Sequence, residues 1–556
     1  MLKKNQFLSN FVWVLICVFS ISAFGQSDYR NHSQMTQKLK SIQSKNPSNV
    51  KLQSITKTVG GFDIWGLTLS KGNHQDKPAI AIVGGVDGSL LLSSEMAVNI
   101  AENILNNHSE VLENTTFYIF PNMSPNASEA YFAPVKFQKK GNANQTDDDR
   151  DGILNEDPYE DLNNDGLITM LRVEDITGDY VKLEEDERIM VKADKAEGQM
   201  GAYKVYTEGI DNDKDGTFNE DGKGGIQFNK NLTYNFPYFK PGAGEHPVSE
   251  KEHRALLDFL YEQWNLYAIL TLGPTNNLSA PLKYNAANAK KRVVTSVLKD
   301  DEALNKFLSK KYTKITGTKD APSATGKGGG FFEWTYFHFG KLAMSTPGWW
   351  VPKAKAPKTE GDSTKAKGKS AKKEKASKNK DVNFLKWAEQ ENLSNYFVDW
   401  TAVNHPDFPN KKVEVGGIAP YKMANPPYSM VDSISIKHTD FILKIAEMQP
   451  KITFQNITTE SVNNALTRIT VNIHNSGYLP THTAMGKRSR WLRRIKVDIK
   501  LKANQELMSG RKIQLLNSID GDSSTQITWL VKGKGTVQIE AGTAHTGSDK
   551  ATITLK

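Results

Sequence analysis

The stretch Ile82-Val83-Gly84-Gly85-Val86-Asp87-Gly88-Ser89-Leu90 constrains this chain more than any other. The apolar run Ala79–Val83 has the length of a buried strand, and it breaks at a glycine pair that suits a sharp turn rather than an element interior. Helical spacing then resumes over Leu90–Leu105, through Met96, Ile100 and Ile104. Thr116–Phe120 reads as another short buried strand. A strand, a tight turn, a helix and a strand in succession predict an α/β layer architecture with loops gathered at one edge of the sheet. The turn at Asp87 is expected to be the first of four loops meeting at one centre.

The same alternation continues on both sides of this stretch. Residues 28–50 are polar and helical in part, and Phe62–Leu69 has strand texture. Later, Glu250–Trp264 reads as a helix opened by Pro247 and Ser249, and Ala268–Leu272 as a strand. Trp334–Phe339 is an aromatic helical segment, Ala343–Ser345 a strand end, Phe384–Trp387 helical, and His438–Met448 the last helix of the main body. From Ile452 the text alternates in short runs separated by Gly, Asn, Asp and Ser, which predicts a small β-sandwich over residues 451–556. The fold class is therefore α/β with a mixed sheet over residues 28–450, followed by a β domain.

Charge is unevenly placed. The chain of 556 residues carries a formal +9, but Lys353–Asp381 alone holds eleven lysines against four acids. That segment, poor in apolar residues and without aromatics, is expected to be a solvated flexible loop. Most of the basicity comes from it, so the balance gives no reason to expect a nucleic-acid partner. Residues 1–25 read as an export signal: Lys3 and Lys4, an apolar run Phe11–Ile21, then Ala23 and Gly25. An uncleaved anchor is the alternative, although the run is short for a membrane span. The single cysteine, Cys17, lies inside that signal. Cleavage leaves a chain without thiol chemistry, without a transmembrane segment, and bound for the periplasm, the cell surface or the medium.

An acidic stretch, residues 141–225, repeats one spacing three times. Asp147, Asp149 and Asp151 precede Gly152; Asp161, Asn163 and Asp165 precede Gly166; Asp211, Asp213 and Asp215 precede Gly216. Oxygen donors at loop positions 1, 3 and 5 with glycine at 6 are what a hard cation such as Ca²⁺ needs. The twelfth positions are Pro158, Arg172 and Gly222, so none is an EF-hand. Glu156 with Asp157, and Glu220 with Asp221, are placed to complete the outer two loops. The alternative is a solvated acidic surface. A structural Ca²⁺ role is expected, with the ions pinning a long insertion.

The order of motifs resembles the zinc carboxypeptidase family (carboxypeptidase A-like metallopeptidases), in a bacterial branch with an acidic insertion. The segments that carry the likeness are Gly85–Leu90, Phe120-Pro-Asn-Met-Ser-Pro125, Phe228-Asn-Lys-Asn231, Pro247–Leu256, Thr271-Leu-Gly273 and Glu333–Trp349. The resemblance covers about residues 50–450. It implies a carboxypeptidase-like α/β/α sandwich and a Zn²⁺ held by a His-x-x-Glu pair and a later His, with a Glu as general base. Carried over, the first His falls on Asp87, its Glu on Leu90, the second His on Gly273 and the general base on Pro347. Of the four, only Asp87 keeps a metal-binding group. Asn229-Lys230 matches the family's Asn-Arg carboxylate clamp, and Lys139 and Lys140 stand where the branch places arginines. Lysine keeps the charge but loses the bidentate fork.

No His-Glu-x-x-His motif or Gly-x-Ser-x-Gly elbow is present to supply another mechanism. Glu250 and His253 are spaced to share a helix face and are the one alternative pair for a relocated metal. The reading is a pseudopeptidase that holds peptide or peptidoglycan-stem C-termini and does not bind zinc. An active metallocarboxypeptidase with an atypical metal site, and a structural or surface-interaction protein, are the alternatives.

Overall fold

The computed structural model describes residues 28–147, 152–155, 157–219, 225–322, 326, 328–354, 377–463 and 465–555. The predicted signal at 1–25, the lysine-rich segment 355–376, and Asp149, Asp151, Glu156, Glu220 and Asp221 lie outside them.

In chain order the body begins with α1 (His32–Lys45), β1 (Val50–Lys57), β2 (Asp63–Leu69), β3 (Ala79–Val83), α2 (Leu91–Asn107) and β4 (Thr116–Phe120). The acidic stretch then contributes β5 (Met170–Glu174), β6 (Tyr180–Leu183), β7 (Asp186–Lys192) and β8 (Tyr203–Thr207). The body resumes with α3 (Lys251–Glu262), β9 (Leu266–Leu272), α4 (Lys299–Thr316), β10 (Leu342–Thr346), α5 (Lys380–Gln390), β11 (Phe397–Val403), β12 (Val413–Ile418) and α6 (Val431–Met448).

The main sheet has the order β1-β2-β4-β3-β9-β10. Its β4-β3-β9-β10 half is parallel and its β1-β2-β4 half antiparallel, which makes it mixed. All five residues of β3 have no exposed surface. Ile80 and Ile82 face one core with Met96, Ile100, Ile104, Phe441 and Ile445 from α2 and α6. Ala79, Ala81 and Val83 face the other, with Leu256 and Leu260 of α3, Phe228 and Trp334. A strand covered on both sides reads as an unbroken apolar run, which is why this one was legible. The fold is a carboxypeptidase-like α/β/α sandwich.

The turn after β3 is locked by close packing. A methyl group on Gly84 would lie 2.5 Å from the Pro121 carbonyl oxygen and 2.6 Å from that of Ser93. Both are backbone atoms, so neither can step aside. The Gly85 N–H donates to Ser93 Oγ at 2.9 Å and binds the turn to the first turn of α2.

Several expectations need correction. The acidic stretch is more than a cation-pinned insertion within 141–225. Its four strands join β11 and β12 in a six-stranded sheet ordered β11-β12-β5-β8-β6-β7, so the unit draws on residues 397–418 as well. The basic loop ends before residue 381, because the Asn379 side chain accepts from Asp381 N and Val382 N and caps α5. Helix α3 is shorter than Glu250–Trp264, and Ser249 does not cap it; its hydroxyl is spent on Glu250 Oε1 at 2.8 Å.

Beyond residue 451 eight strands form two antiparallel sheets: β13 (Ile452–Asn463), β14 (Leu466–Asn475), β15 (Ile495–Lys500), β16 (Glu506–Ser509), β17 (Ile513–Leu516), β18 (Ser523–Lys532), β19 (Gly535–Thr543) and β20 (Gly547–Leu555). The orders are β13-β14-β18-β16 and β17-β15-β19-β20. They share one core around Trp529, Ile469, Val497 and Ile539. The junction with the body is polar and buried. Tyr267 Oη donates to Pro480 O at 2.7 Å, Asp301 accepts from Ala484 N and Met485 N, and Thr483 Oγ1 donates to Gly340 O at 3.0 Å. Lys341, 1 % exposed, lies under this junction with its ammonium 4.6 Å from the Phe339 ring. Among the described residues no helix is long and apolar enough to cross a membrane.

Two predictions follow from this packing. Gly84→Ala should lower stability by more than the ~1 kcal/mol typical of single substitutions, measured by denaturant unfolding; unchanged unfolding would contradict the wedge. The second concerns pH. Burial pushes His253 down to about 3, and His438 and His482 down to about 4. Each is neutral in the folded chain, whereas the unfolded chain takes up its protons below about 6.5. Their contribution is therefore complete above pH 6.5 and lost as pH falls toward 4, by about 1.4 kcal/mol per pH unit per histidine. Lys341, pushed down to about 7 by burial, acts over another range with the same sense. It adds stability as pH rises from 7 toward 10.5. Melts that are flat between pH 7 and 5 would refute the histidine assignment.

Candidate functional site

The parallel strands bring their C-terminal ends together. Beyond β3 lies Asp87, beyond β9 Gly273 and beyond β10 Pro347. The Gly273 N–H donates to Thr346 O at 3.0 Å, and a methyl group on Gly273 would lie 2.4 Å from Val86 Cγ2. The structure thus gathers Asp87, Leu90, Gly273 and Pro347, the positions onto which the resemblance carries the family's ligands and base, at one edge of the sheet. Asp87 is closed on its own turn: its Oδ1 accepts from Ser89 N at 3.0 Å and Ser89 Oγ at 2.6 Å. Leu90 is the N-cap residue of α2 and makes no side-chain cap bond. These four positions offer a cation a single side-chain donor group, one carboxylate.

The loop is held from outside by Asn425. Its Nδ2 donates to Ser89 O at 2.9 Å and its Oδ1 accepts from Leu92 N at 3.1 Å. At the end of β10, Thr346 Oγ1 bonds to the Tyr312 hydroxyl, which also meets His438 Nε2, each at 2.9 Å. Both networks are buried, so each removed partner leaves a polar group without water.

The predicted clamp residues lie on one short turn, and their side chains are engaged. Asn229 Oδ1 accepts from Phe331 N at 2.9 Å, and Lys230 Nζ donates to Pro241 O at 2.9 Å. Lys139 is half-buried on the loop whose Phe137 carbonyl receives the Tyr421 hydroxyl at 2.8 Å, and Lys140 is exposed. Glu333 escaped the sequence reading as a site residue. Its carboxyl is buried with no partner for Oε2, and burial raises its pKa. Gly330 backs it: a methyl group there would meet Glu333 Oε2 at 2.1 Å and Asn229 Oδ1 at 3.4 Å. Glu333 therefore adjoins the clamp asparagine.

A cleft of about 290 Å³ adjoins the Asp87 loop, at the small end of the range for ligand sites. Tyr29, Tyr131, Tyr396, Tyr421 and Tyr428 line it with Lys422, whose ammonium lies 5.2 Å from the Tyr396 ring. Its walls come from five separate segments, so no local motif announces it.

The alternative metal pair does not form. Glu250 Oε2 accepts from Asn142 and Asn144, while His253 Nδ1 bonds to Asn231 Oδ1 at 2.7 Å. His338 bonds to Thr233. Among the described residues, the one group of three or more metal-type side chains with ligand atoms within mutual reach is Asp211, Asp213 and Asp215. In the middle loop, Asp161 accepts from Asp165 N and Gly166 N, and the Asn163 amide donates to Asp165. Asp157 is fully buried and accepts from Asn212 N and Asn219 N. Asp147 Oδ2 accepts from Gly152 N.

Comparison with known proteins accords with this architecture. The family model of zinc carboxypeptidases matches residues 35–344, more than half of the chain, and a domain of unknown function matches residues 451–554. The chain belongs to the zinc carboxypeptidase family, whose expected metal is Zn²⁺. Over 131 residues it is 25 % identical to "Carboxypeptidase SOL1" of Arabidopsis thaliana, a match that takes in 22 % of this chain and a quarter of that relative. Bovine thrombin-activatable fibrinolysis inhibitor, solved with tick carboxypeptidase inhibitor, is 12 % identical with a TM-score of 0.37, covering 57 % of this chain and 86 % of that one. Carboxypeptidase A of Helicoverpa armigera is 11 % identical with a TM-score of 0.35, covering 57 % and 64 %. Superpositions that loose add no weight to the family assignment, which rests on the sequence match.

Removing Asn425 tests how the loop is held. Asn425→Ala orphans the Ser89 carbonyl and the Leu92 N–H, and should cost about 2–6 kcal/mol at ~1–3 kcal/mol per buried group. Denaturant unfolding with a wild-type midpoint would contradict the bridging role.

Proposed function

We propose that this is an exported carboxypeptidase-fold protein that binds the C-terminal ends of peptides or peptidoglycan stems without hydrolysing them. The observation that carries the reading is the meeting of Asp87, Leu90, Gly273 and Pro347 at the strand ends. A catalytic zinc needs three protein ligands and an open position for water. One carboxylate, already accepting two hydrogen bonds from Ser89, does not fit that need. No step of a metal mechanism can be assigned to these residues.

Ligand recognition falls to the basic positions. Lys230 rests on the neutral Pro241 carbonyl, and a ligand carboxylate is a stronger acceptor, because charge-assisted bonds are about twice as strong as neutral ones. Asn229 positions the turn, and Lys139 and Lys140 add positive charge on the loop beside Tyr421. The tyrosine cleft beside Ser89–Leu91 supplies apolar faces for the residues before the terminal carboxylate. A signal at 1–25 is the basis for export. Structural Ca²⁺ in the acidic stretch accords with an extracellular or periplasmic setting, where that ion is plentiful.

Two measurements on the purified chain test this. Metal analysis should find no stoichiometric zinc, and peptides with free C-termini should be recovered intact. The same peptides should bind at least ~10-fold more tightly than their C-terminally amidated forms, a preference of about 1.4 kcal/mol. Lys230→Ala should abolish that preference. Stoichiometric zinc with chelator-sensitive release of terminal amino acids would establish the active enzyme instead. Equal binding of free and amidated peptides would favour the structural role.

A further inference from the structure

We propose that the loop Asp211–Gly216 is a calcium site whose ion fastens the segment after β8 to the turn at residues 405–408, which joins β11 and β12 of the same sheet. The inference does not rest on the peptide-binding reading. Two independent observations carry it. First, Asp211, Asp213 and Asp215 each bring a carboxylate oxygen within 4.8 Å of the other two. Second, Asp211 is only 8 % exposed, and its Oδ1 is buried without any hydrogen-bond partner. A buried carboxylate oxygen that accepts nothing and faces two further carboxylates is costly unless a cation joins them.

Among the described residues, Lys214 reaches the loop, but its ammonium bonds to Asp407 and to the Asp211 backbone carbonyl, the latter at 2.7 Å, and not to Asp211 Oδ1. The remaining donors of the loop fix its shape. Gly216 N donates to Asp211 Oδ2, Asp215 N to Asp213 Oδ1, and Thr217 N to Asp215 Oδ1. Gly216, at φ +94°, makes the sharp reversal that turns three side chains toward one point. The sister loop with the same spacing differs in chemistry. There the Asn163 amide donates to Asp165 Oδ2 at 3.0 Å, and no Asp161 oxygen is left buried without a partner. Asp161–Gly166 closes on itself.

The loop is also where separate segments meet. Asp157 accepts from the backbone of Asn212 and Asn219, and Asp407 accepts from Asp211 N at 3.1 Å. His405 bonds to Gly209 O at 2.9 Å, and Phe218 stacks on Phe408 at 6.0 Å. An ion at Asp211 therefore holds the end of β8, the turn at 157 and the β11–β12 connection in one place. Oxygen-only donors on a flexible loop suit Ca²⁺ better than Mg²⁺, which demands a near-ideal octahedron.

The test is isothermal titration of the chelator-stripped full chain with CaCl₂, with and without 5 mM-scale MgCl₂ as competitor, a concentration of the order at which extracellular calcium modules bind. Saturable Ca²⁺ binding is expected, with a dissociation constant on the order of 10⁻⁴ to 10⁻³ M or tighter. Asp213→Asn, at an exposed position that leaves the core untouched, should remove one site from the isotherm, as should Asp211→Asn. Asp161→Asn should leave the isotherm unchanged. Circular dichroism on each variant separates lost binding from lost folding. Absence of binding, or an isotherm insensitive to Asp213→Asn, overturns the proposal, as does Mg²⁺ binding with equal affinity. Limited proteolysis adds a second readout: calcium should protect residues 209–219 and 405–408 from cleavage and leave the C-terminal strands unaffected.

Discussion

The strand ends depend on one close approach, the backbone of Gly84 wedged between the carbonyl oxygens of Pro121 and Ser93. That contact fixes where β3 stops, how the chain enters α2 and how near β4's following loop lies. Only a residue without Cβ fits, so a glycine at this turn is a steric demand rather than a preference. The parallel pairing of β3 with β9, and of β9 with β10, then places Gly273 against Val86 and the residue after Thr346 beside it. Convergence of the four loops is a consequence of sheet order. It does not depend on what side chains the loops carry.

That independence is why fold and chemistry separate in this chain. The scaffold of a zinc carboxypeptidase requires apolar strands, covered faces and tight turns, and all are present. Hydrolysis requires three metal ligands and a base, and the proposed function turns on the resemblance that puts Asp87, Leu90, Gly273 and Pro347 at those positions. Binding energy can survive such a change, because cationic side chains and aromatic walls act without a metal.

Legibility from the sequence followed the same division. β3 and β4 were readable to the residue, because strands covered on both faces show as unbroken apolar runs bounded by turns. The positions Asp87, Gly273 and Pro347 could be placed near strand ends because the apolar runs before them mark where β3, β9 and β10 stop. The insertion sheet was not, since β6 and β8 are half-exposed throughout and carry no apolar alternation. Its pairing of β5 with β12 joins residues some 240 positions apart, which no local window reveals. The tyrosine cleft and Glu333 were hidden for a related reason. A cleft assembled from five segments has no motif, and a glutamate before an aromatic run looks like any other helix-start acid. The three acidic loops were readable as spacing, yet spacing did not separate Asp161 from Asp211. The difference is one buried, unpartnered oxygen, and burial is a property of the fold.

The Asp87 loop also bears on whether this fold needs an ion to form. A metal centre lends folding energy to the loops it joins, and its removal commonly loosens them. Here protein groups serve that purpose. Ser89 closes the turn on Asp87, Asn425 bridges Ser89 and Leu92, and Tyr312 ties Thr346 to His438. Tyr312 and His438 are positioned by α4 and α6, so the entropic cost of that bond is met when those helices pack. A strand-end edge fastened in this way keeps its shape with no zinc at its centre. A catalytic metal site, by contrast, keeps polar donors unspent and aimed at an open position, which costs stability. Side chains that satisfy one another, as Ser89 and Asp87 do here, are the more stable arrangement.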